Sequence, residues 1–457
     1  VSHALNRILK HLTQTVLDVA GERAGDALAE RAAPERARDG VDGFLGHVGV
    51  VARHDGRARD VECRHCAPRA MSSSAGILSS VARALDRATW IDLACDTLDV
   101  SDVPRAVEPH AVVDVKQRRG DLLRDGCALM SRKELLGDDD GDLELDALLQ
   151  TMYAIRDAGL DPTWVYMYDA TWRVVERFRA SLEDECFGGA MTLNFDVLAW
   201  FVDPANDDKT TAFTPHRDRQ PDNAPGSFHA DGMAKYCTIW LPLTNATPRN
   251  SCLYCVPKGI DPGYYSGDSD DLDGPSPLEI ALKDKAAYQS LRALPVERGG
   301  AVCFTHRLIH WGSVGDGGKD GPRINLSFGF ADPEFEPAYL LNVRRGTIPT
   351  VAERAGLIAG QMISYHERFP PSKAELRVLK QIFDNVKSSF HETYVKKVNF
   401  EFTNATLRGD AESDDEGVEN ALDAMLDNAS DFEDDFEDED FSGGDSDDEV
   451  GAKKRKR

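Results

Sequence analysis

With 41% hydrophobic and 8% aromatic residues the 457-residue chain has the composition of a globular protein, and its length suits one large domain with appendages, or two domains. The net charge of −26 is uneven: residues 409–457 hold 20 acidic and 5 basic side chains, a net of −15, which leaves −11 for the preceding 408 residues. A mildly acidic body argues against a broad nucleic-acid surface, and no apolar run is long enough to span a bilayer.

Residues 1–20 place Leu5, Ile8, Leu9, Leu12, Val16 and Val19 at helical spacing, which predicts an amphipathic packing helix. Arg7 and Lys10 precede the first acid, Asp18, so a transit peptide is the alternative. Residues 31–75 lack periodicity and are expected to be poorly ordered. The nine cysteines are odd in number and scattered, as reduced intracellular thiols are. Cys63-Arg-His-Cys66 and Cys252-Leu-Tyr-Cys255 have metal-knuckle spacing without a second pair, so free thiols are expected rather than zinc.

Regular structure is expected from about Ser79. Residues 122–130 read as a helix end, a stop at Gly126 and a short strand, and helices follow over 143–158 and 171–182. From Ala190 the texture changes to short apolar runs between turn formers, at 191–202, 236–243, 252–256, 301–305 and 324–330. Such a series predicts a mainly β fold with flanking helices, its core a sandwich or jelly roll. A helix over 373–395 closes the ordered part. The Asp/Glu-rich stretch 409–450 cannot bury enough surface to fold. It ends in Lys453-Lys-Arg-Lys-Arg457, which reads as a nuclear import signal, or as a basic end folding back on the acidic run. An intracellular location is expected, nuclear from this basic cluster and otherwise cytoplasmic. The chain thus divides into an extension (1–85), a domain (86–400) with its β core at about 190–335, and a tail (401–457).

The chemistry centres on Thr214-Pro-His216-Arg-Asp218. In an extended segment residues i and i+2 share a face, so an imidazole and a carboxylate can reach one metal ion. A second imidazole completes the two-His-one-carboxylate set that leaves positions on iron open. His229-Ala-Asp231 duplicates the triplet and is the alternative pair. Downstream, a turn and strand at 299–304 lead into His306-Arg-Leu-Ile-His310-Trp-Gly-Ser313, and Arg323 opens a further strand. His310 is the expected third ligand, with His306 the alternative. Arg323 could offer its planar fork to a distal carboxylate of a dicarboxylic 2-oxo acid.

These pieces, in this order, resemble the phytanoyl-CoA dioxygenase-like oxygenases. The resemblance rests on His216-Arg-Asp218, Thr238-Ile-Trp240-Leu-Pro-Leu, Asn250-Ser-Cys-Leu-Tyr-Cys-Val-Pro257, His310-Trp-Gly-Ser313 and Arg323, with Leu122–Met130 as the entrance, and covers about residues 115–335. It implies a double-stranded β-helix (jelly roll, cupin-like), Fe(II), 2-oxoglutarate as co-substrate and dioxygen, with succinate and carbon dioxide released as a substrate is hydroxylated. It also implies that Trp240 and Ser313 lie near the co-substrate. Two features depart from the pattern: the Asp218–Trp240 gap is long, and Lys258-Gly-Ile-Asp261 replaces the usual Gly-Ser-His ending of the turn. No CoA-binding feature stands out. A small-molecule or lipid substrate is expected.

Two rival readings remain. His216-Arg-Asp-Arg-Gln-Pro-Asp-Asn223 fits the protein-kinase pattern H-R-D-x-x-x-x-N, with Lys116 as a stand-in strand lysine, but no Gly-rich loop precedes it and strands follow. The other is a catalytically silent β-helix that binds a basic nuclear protein through its acidic tail.

Overall fold

The structure is a computed structural model that describes residues 74–95, 97–107, 115–136, 144–205, 214–269, 274–315, 320–368 and 371–411. The expectations for the extension up to residue 73, including the 1–20 helix and Cys63/Cys66, lie outside the described residues, as do those for the acidic tail and its basic end. The chain divides into two units, 1–402 and 403–457; of the second, only the end of one helix is described.

Helix α1 (Lys116–Asp125) stops at Gly126, whose φ of +80° lets its N–H return to Leu122 O. Glycine suits this left-handed cap, and a Cβ there would also press on Leu308 Cδ1 at 3.1 Å. Strand β1 (Cys127–Met130) follows directly, as expected. Helices α2 (Leu145–Asp157) and α3 (Asp169–Ser181) come next, and α3 runs on into a π turn, Leu182–Cys186.

The strands are β2 (Thr192–Val202), β3 (Tyr236–Pro242), β4 (Leu253–Cys255), β5 (Arg292–Leu294), β6 (Ala301–Thr305), β7 (His310–Gly312) and β8 (Arg323–Ala331). They form two antiparallel sheets, one of five strands in the order β1-β6-β3-β8-β2 and one of three in the order β5-β4-β7. In the large sheet Ser327 of β8 lies opposite Leu198 of β2 and Trp240 of β3, Gly329 opposite Thr238, and Ala331 opposite Tyr236. β3 is buried at every position and β2 at most, so the outer face of the sheet needs a cover. Part of it is α4 (Val351–Ser364), whose Gln361 Nε2 donates to Phe195 O at 3.3 Å. Helices therefore take more of the described residues than a mainly β reading allows: the observed fold is antiparallel sheets with flanking helices.

The helix expected over 373–395 is two helices, α5 (Lys373–Val386) and α6 (Glu392–Ala411). The backbone between them makes one 3₁₀ turn, closed by Phe390 N to Lys387 O (3.1 Å), and bonds to another segment. Ser389 O accepts from Leu341 N (3.0 Å), His391 N donates to Tyr339 O (2.9 Å), and Phe390 stacks on Phe383. Among the described residues no helix is long and apolar enough to cross a membrane.

Candidate metal centre and its cavity

His216 lies on an extended segment that pairs with His310 of β7 through reciprocal backbone hydrogen bonds, His216 N to His310 O (3.1 Å) and His310 N to His216 O (3.0 Å). That bridge sets the two imidazoles side by side, with ring centroids 4.4 Å apart. Asp218 Oδ1 faces both, 3.6 Å from His216 Nε2 and 3.5 Å from His310 Nε2. One donor atom from each residue fits within 4.8 Å of the others, and among the described residues this is the one cluster of its kind.

Each ring's other nitrogen is held by a backbone carbonyl two residues earlier: His216 Nδ1 by Thr214 O (2.7 Å) and His310 Nδ1 by Leu308 O (3.1 Å). A carbonyl only accepts, so each Nδ1 carries a proton, and Nε2 is the nitrogen turned to the carboxylate. Burial pushes the His310 imidazolium down to about 4, which keeps the ring neutral at pH 7. For Asp218 burial acts upward, but the facing His310 and His216 and the Thr238 hydroxyl outweigh it and hold the carboxyl well below the usual range. The Thr238 hydroxyl donates to Asp218 Oδ2, leaving Oδ1 turned to the histidines.

Arg217, between the two segment residues, points the other way. Its buried guanidinium pairs with Asp261 (2.6 Å) and Asp268 (2.7 Å) and also donates to Arg307 O. A bidentate buried pair of this kind anchors the segment that presents His216 and Asp218.

The cluster opens on a cavity of about 290 Å³ lined from both sheets, with Trp240, Phe304 and Arg323 from the large one and Leu253 and Trp311 from the small one. Arg323 is fully buried, its guanidinium 5.4 Å from the Trp240 ring. It donates to Ser251 O (3.0 Å), Ser251 Oγ (3.3 Å) and Asn325 Oδ1, and among the described residues no carboxylate pairs with it. Burial draws it down to about 9, as expected of a desolvated cation without a counter-charge. Ser313 is buried off the cavity, its hydroxyl directed to Pro248 O at 3.4 Å.

The alternative ligands are placed elsewhere. His229 Nδ1 faces Asp332 at 3.7 Å, and Asp231 pairs with Arg119 and accepts from Met233 N at 3.0 Å. Both nitrogens of His306 are in use, Nδ1 on Tyr236 O (3.2 Å) and Nε2 on Ser227 Oγ (2.9 Å), and burial pushes its imidazolium down to about 3. Cys252 and Cys255 are buried free thiols. The kinase-like triplet lies on this bridged segment with antiparallel strands after it, and Lys116 starts a helix instead of sitting in a strand.

Sequence reading missed Thr238, Asp196, Arg219 and Tyr365, all of which line the cavity. Thr238 was within reach, since it lies two residues before Trp240 and so on the same strand face.

The phytanoyl-CoA dioxygenase family model matches residues 102–314. No curated protein matches the chain. Among solved structures it is similar to AviO1 from Streptomyces viridochromogenes Tue57, at 18% identity over 49% of this chain and 97% of that one with a TM-score of 0.36. It is also similar to the non-heme alpha ketoglutarate dependent epimerase SnoN from nogalamycin biosynthesis (18% identity, 48% and 80% covered, TM-score 0.34). A third is EctD from S. alaskensis with 2-oxoglutarate and 5-hydroxyectoine (13% identity, 54% and 89% covered, TM-score 0.32). All three likenesses are distant. His216, Asp218 and His310 fall inside the matched segment and Arg323 beyond it; the chain carries a phytanoyl-CoA dioxygenase domain over residues 102–314.

Proposed function

We propose that this chain is an Fe(II)- and 2-oxoglutarate-dependent oxygenase that hydroxylates a small molecule. The observation that carries the reading is one cavity with two inward-turned imidazoles and a carboxylate on its wall, and on the same wall a buried arginine with no carboxylate partner among the described residues. The donor set fits the metal: two imidazole nitrogens and one carboxylate oxygen suit iron and leave positions for other ligands. His216, His310 and Asp218 would hold it. Bound there with 2-oxoglutarate, Fe(II) supplies activation of dioxygen, in which the oxo acid becomes succinate and carbon dioxide and one oxygen atom goes to the substrate.

The protein's residues do the rest. Arg323 receives the far carboxylate, which supplies a counter-charge and accepts from a planar fork already held by Ser251 and Asn325. Trp240, Phe304 and Trp311 exclude water around the reacting atoms. Thr238 and Arg217 fix the carboxylate and the segment that bears it. We read the two sheets as the two faces of a double-stranded β-helix, a reading supported by the cavity's being lined from both. The oxygenase domain is taken as residues 86–400, apart from the tail.

Full-length protein supplied with Fe(II) should convert 2-oxoglutarate to succinate, and His216→Ala should abolish the conversion. Unchanged turnover in that variant would remove His216 from the metal.

A further inference from the structure

Resting on that reading, we propose that Asp196 Oδ1 is the cavity's substrate acceptor, and that the part of the substrate entering the cavity is uncharged and bears a hydroxyl group. The first support is placement. The β2–β8 register breaks between Leu193 and Val197, and Phe195 takes a φ of +70°, a conformation rare for a bulky residue. A bulge of this kind re-aims a side chain, and Asp196 lines the cavity in phase with Leu198 and Trp200.

The second support is an unfilled acceptor. Asp196 Oδ2 takes hydrogen bonds from Arg219 Nη2 (2.6 Å), Tyr236 Oη (3.0 Å) and Tyr365 Oη (3.0 Å). Among the described residues Oδ1 is approached only by the same Tyr365 hydroxyl, at 3.4 Å, and that hydroxyl's one proton serves Oδ2. A carboxylate oxygen on a residue 7% exposed, without a donor of its own, calls for one from a ligand. Gly329 belongs to the device: a Cβ there would lie 2.1 Å from Tyr236 Oη and displace it.

The third support is the division of the cavity. Arg323 precedes Gly329 by six residues on β8, roughly 20 Å at strand rise. Thr238, which holds Asp218, is opposite Gly329, and Tyr236 lies two residues further along β3. The co-substrate on Arg323 therefore fills the side away from Asp196. A cavity of about 290 Å³ that also holds a five-carbon diacid has room for only a small head of the second reactant.

Charge selects the class. Among the described residues, Asp196 and Glu336 are matched by Arg219, which pairs with both, and by Lys397, which donates to Tyr339 Oη beside Glu336; Glu401, which also acts on Lys397, is partly exposed to solvent and faces His366. Arg217 and Arg307 are matched by Asp261 and Asp268. The metal's two positive charges with Asp218, the co-substrate's two negative charges and Arg323 also cancel. A charged head would be left uncompensated in a buried site, whereas a hydroxyl fills Oδ1 at no such cost.

The test uses full-length protein with Mn(II), as a redox-silent metal, and 2-oxoglutarate. Calorimetry measures three probes of matched size: cyclohexanol, cyclohexylammonium and cyclohexanecarboxylate. The expected result is that cyclohexanol binds at least tenfold tighter than either ion. In Asp196→Asn the three donors at Oδ2 demand oxygen there, so the amide NH₂ takes the Oδ1 position and turns an acceptor into a donor. A hydroxyl can also accept from that amide, so what is lost is the charge assistance of the bond, and cyclohexanol affinity should fall about tenfold, while Mn(II) and 2-oxoglutarate affinities stay within about twofold. A preference for either ion, no binding of cyclohexanol by the unaltered protein, or unaltered cyclohexanol affinity in Asp196→Asn overturns this inference and leaves the metal site standing. Failure of the unaltered protein to bind Mn(II) and 2-oxoglutarate overturns the proposed function and this inference together.

Discussion

Replacing Thr238 with valine removes one hydroxyl and keeps the branched shape on a residue that is 7% exposed. The hydroxyl's partner is Asp218 Oδ2, so the loss is a hydrogen bond to a charged group, about 1.5–3 kcal/mol. Without it the carboxylate can rotate, and Oδ1 is no longer held toward His216 and His310. At about 1.4 kcal/mol per factor of ten, metal affinity should fall roughly 10- to 100-fold, the range typical for outer-shell partners of a ligand. Calorimetric titration of Mn(II) into full-length protein measures this directly. Thr238→Ser restores the donor and should return affinity to within about threefold of the unaltered protein. Mn(II) affinity unchanged in Thr238→Val, or lost equally in Thr238→Ser, would refute the reasoning, because shape rather than the hydroxyl would then be the cause.

Arg323→Met should leave Mn(II) binding intact and weaken 2-oxoglutarate at least tenfold, from the loss of charge-assisted bonds; equal 2-oxoglutarate affinity by calorimetry would exclude Arg323 as its anchor. Arg217→Met strands Asp261 and leaves Asp268 with Arg307 alone, so unfolding in denaturant should show a loss of about 3 kcal/mol or more, and a midpoint equal to that of the unaltered protein would mean the pair anchors nothing. Glu336 gives a pH signature. Burial acts upward on its carboxyl, but Arg219 outweighs it and holds the group down to about 2. A depressed folded value means stability that is present above the unfolded value, about 4.3, and lost as pH falls towards 2. Glu336→Gln should therefore cost roughly 3 kcal/mol at pH 7 and much less near pH 2.5, and a pH-independent difference would contradict the linkage.

The parts of the molecule visible in the sequence are those that local chemistry decides. The Gly126 stop, the five strand segments from residue 191 onward and the order His216, Asp218, His310, Arg323 depend on period, turn formers and spacing, and all are found near their expected positions. Helix α4 carries a sequence signal of its own, Thr350-x-x-Glu353, a capping box formed in the structure. The break after Val386 was not legible, because the backbone around Phe390 bonds to Tyr339 and Leu341, and a helical period does not report a distant partner. Nor was Asp196, whose role depends on a bulge and on Tyr365 arriving from the end of α4. The choice between His216/Asp218 and His229/Asp231 likewise needed three dimensions. Only the backbone bridge to β7 sets one pair against His310, while the other pairs with Arg119 and faces Asp332.

The most direct test of the metal centre is an anaerobic calorimetric titration of Fe(II) into full-length protein, alongside Asp218→Ala and His310→Ala. The expected result is one Fe(II) per chain in the unaltered protein and at least a hundredfold weaker binding in both variants. Equal stoichiometry and affinity in all three would contradict the assignment of His216, Asp218 and His310 as the iron site.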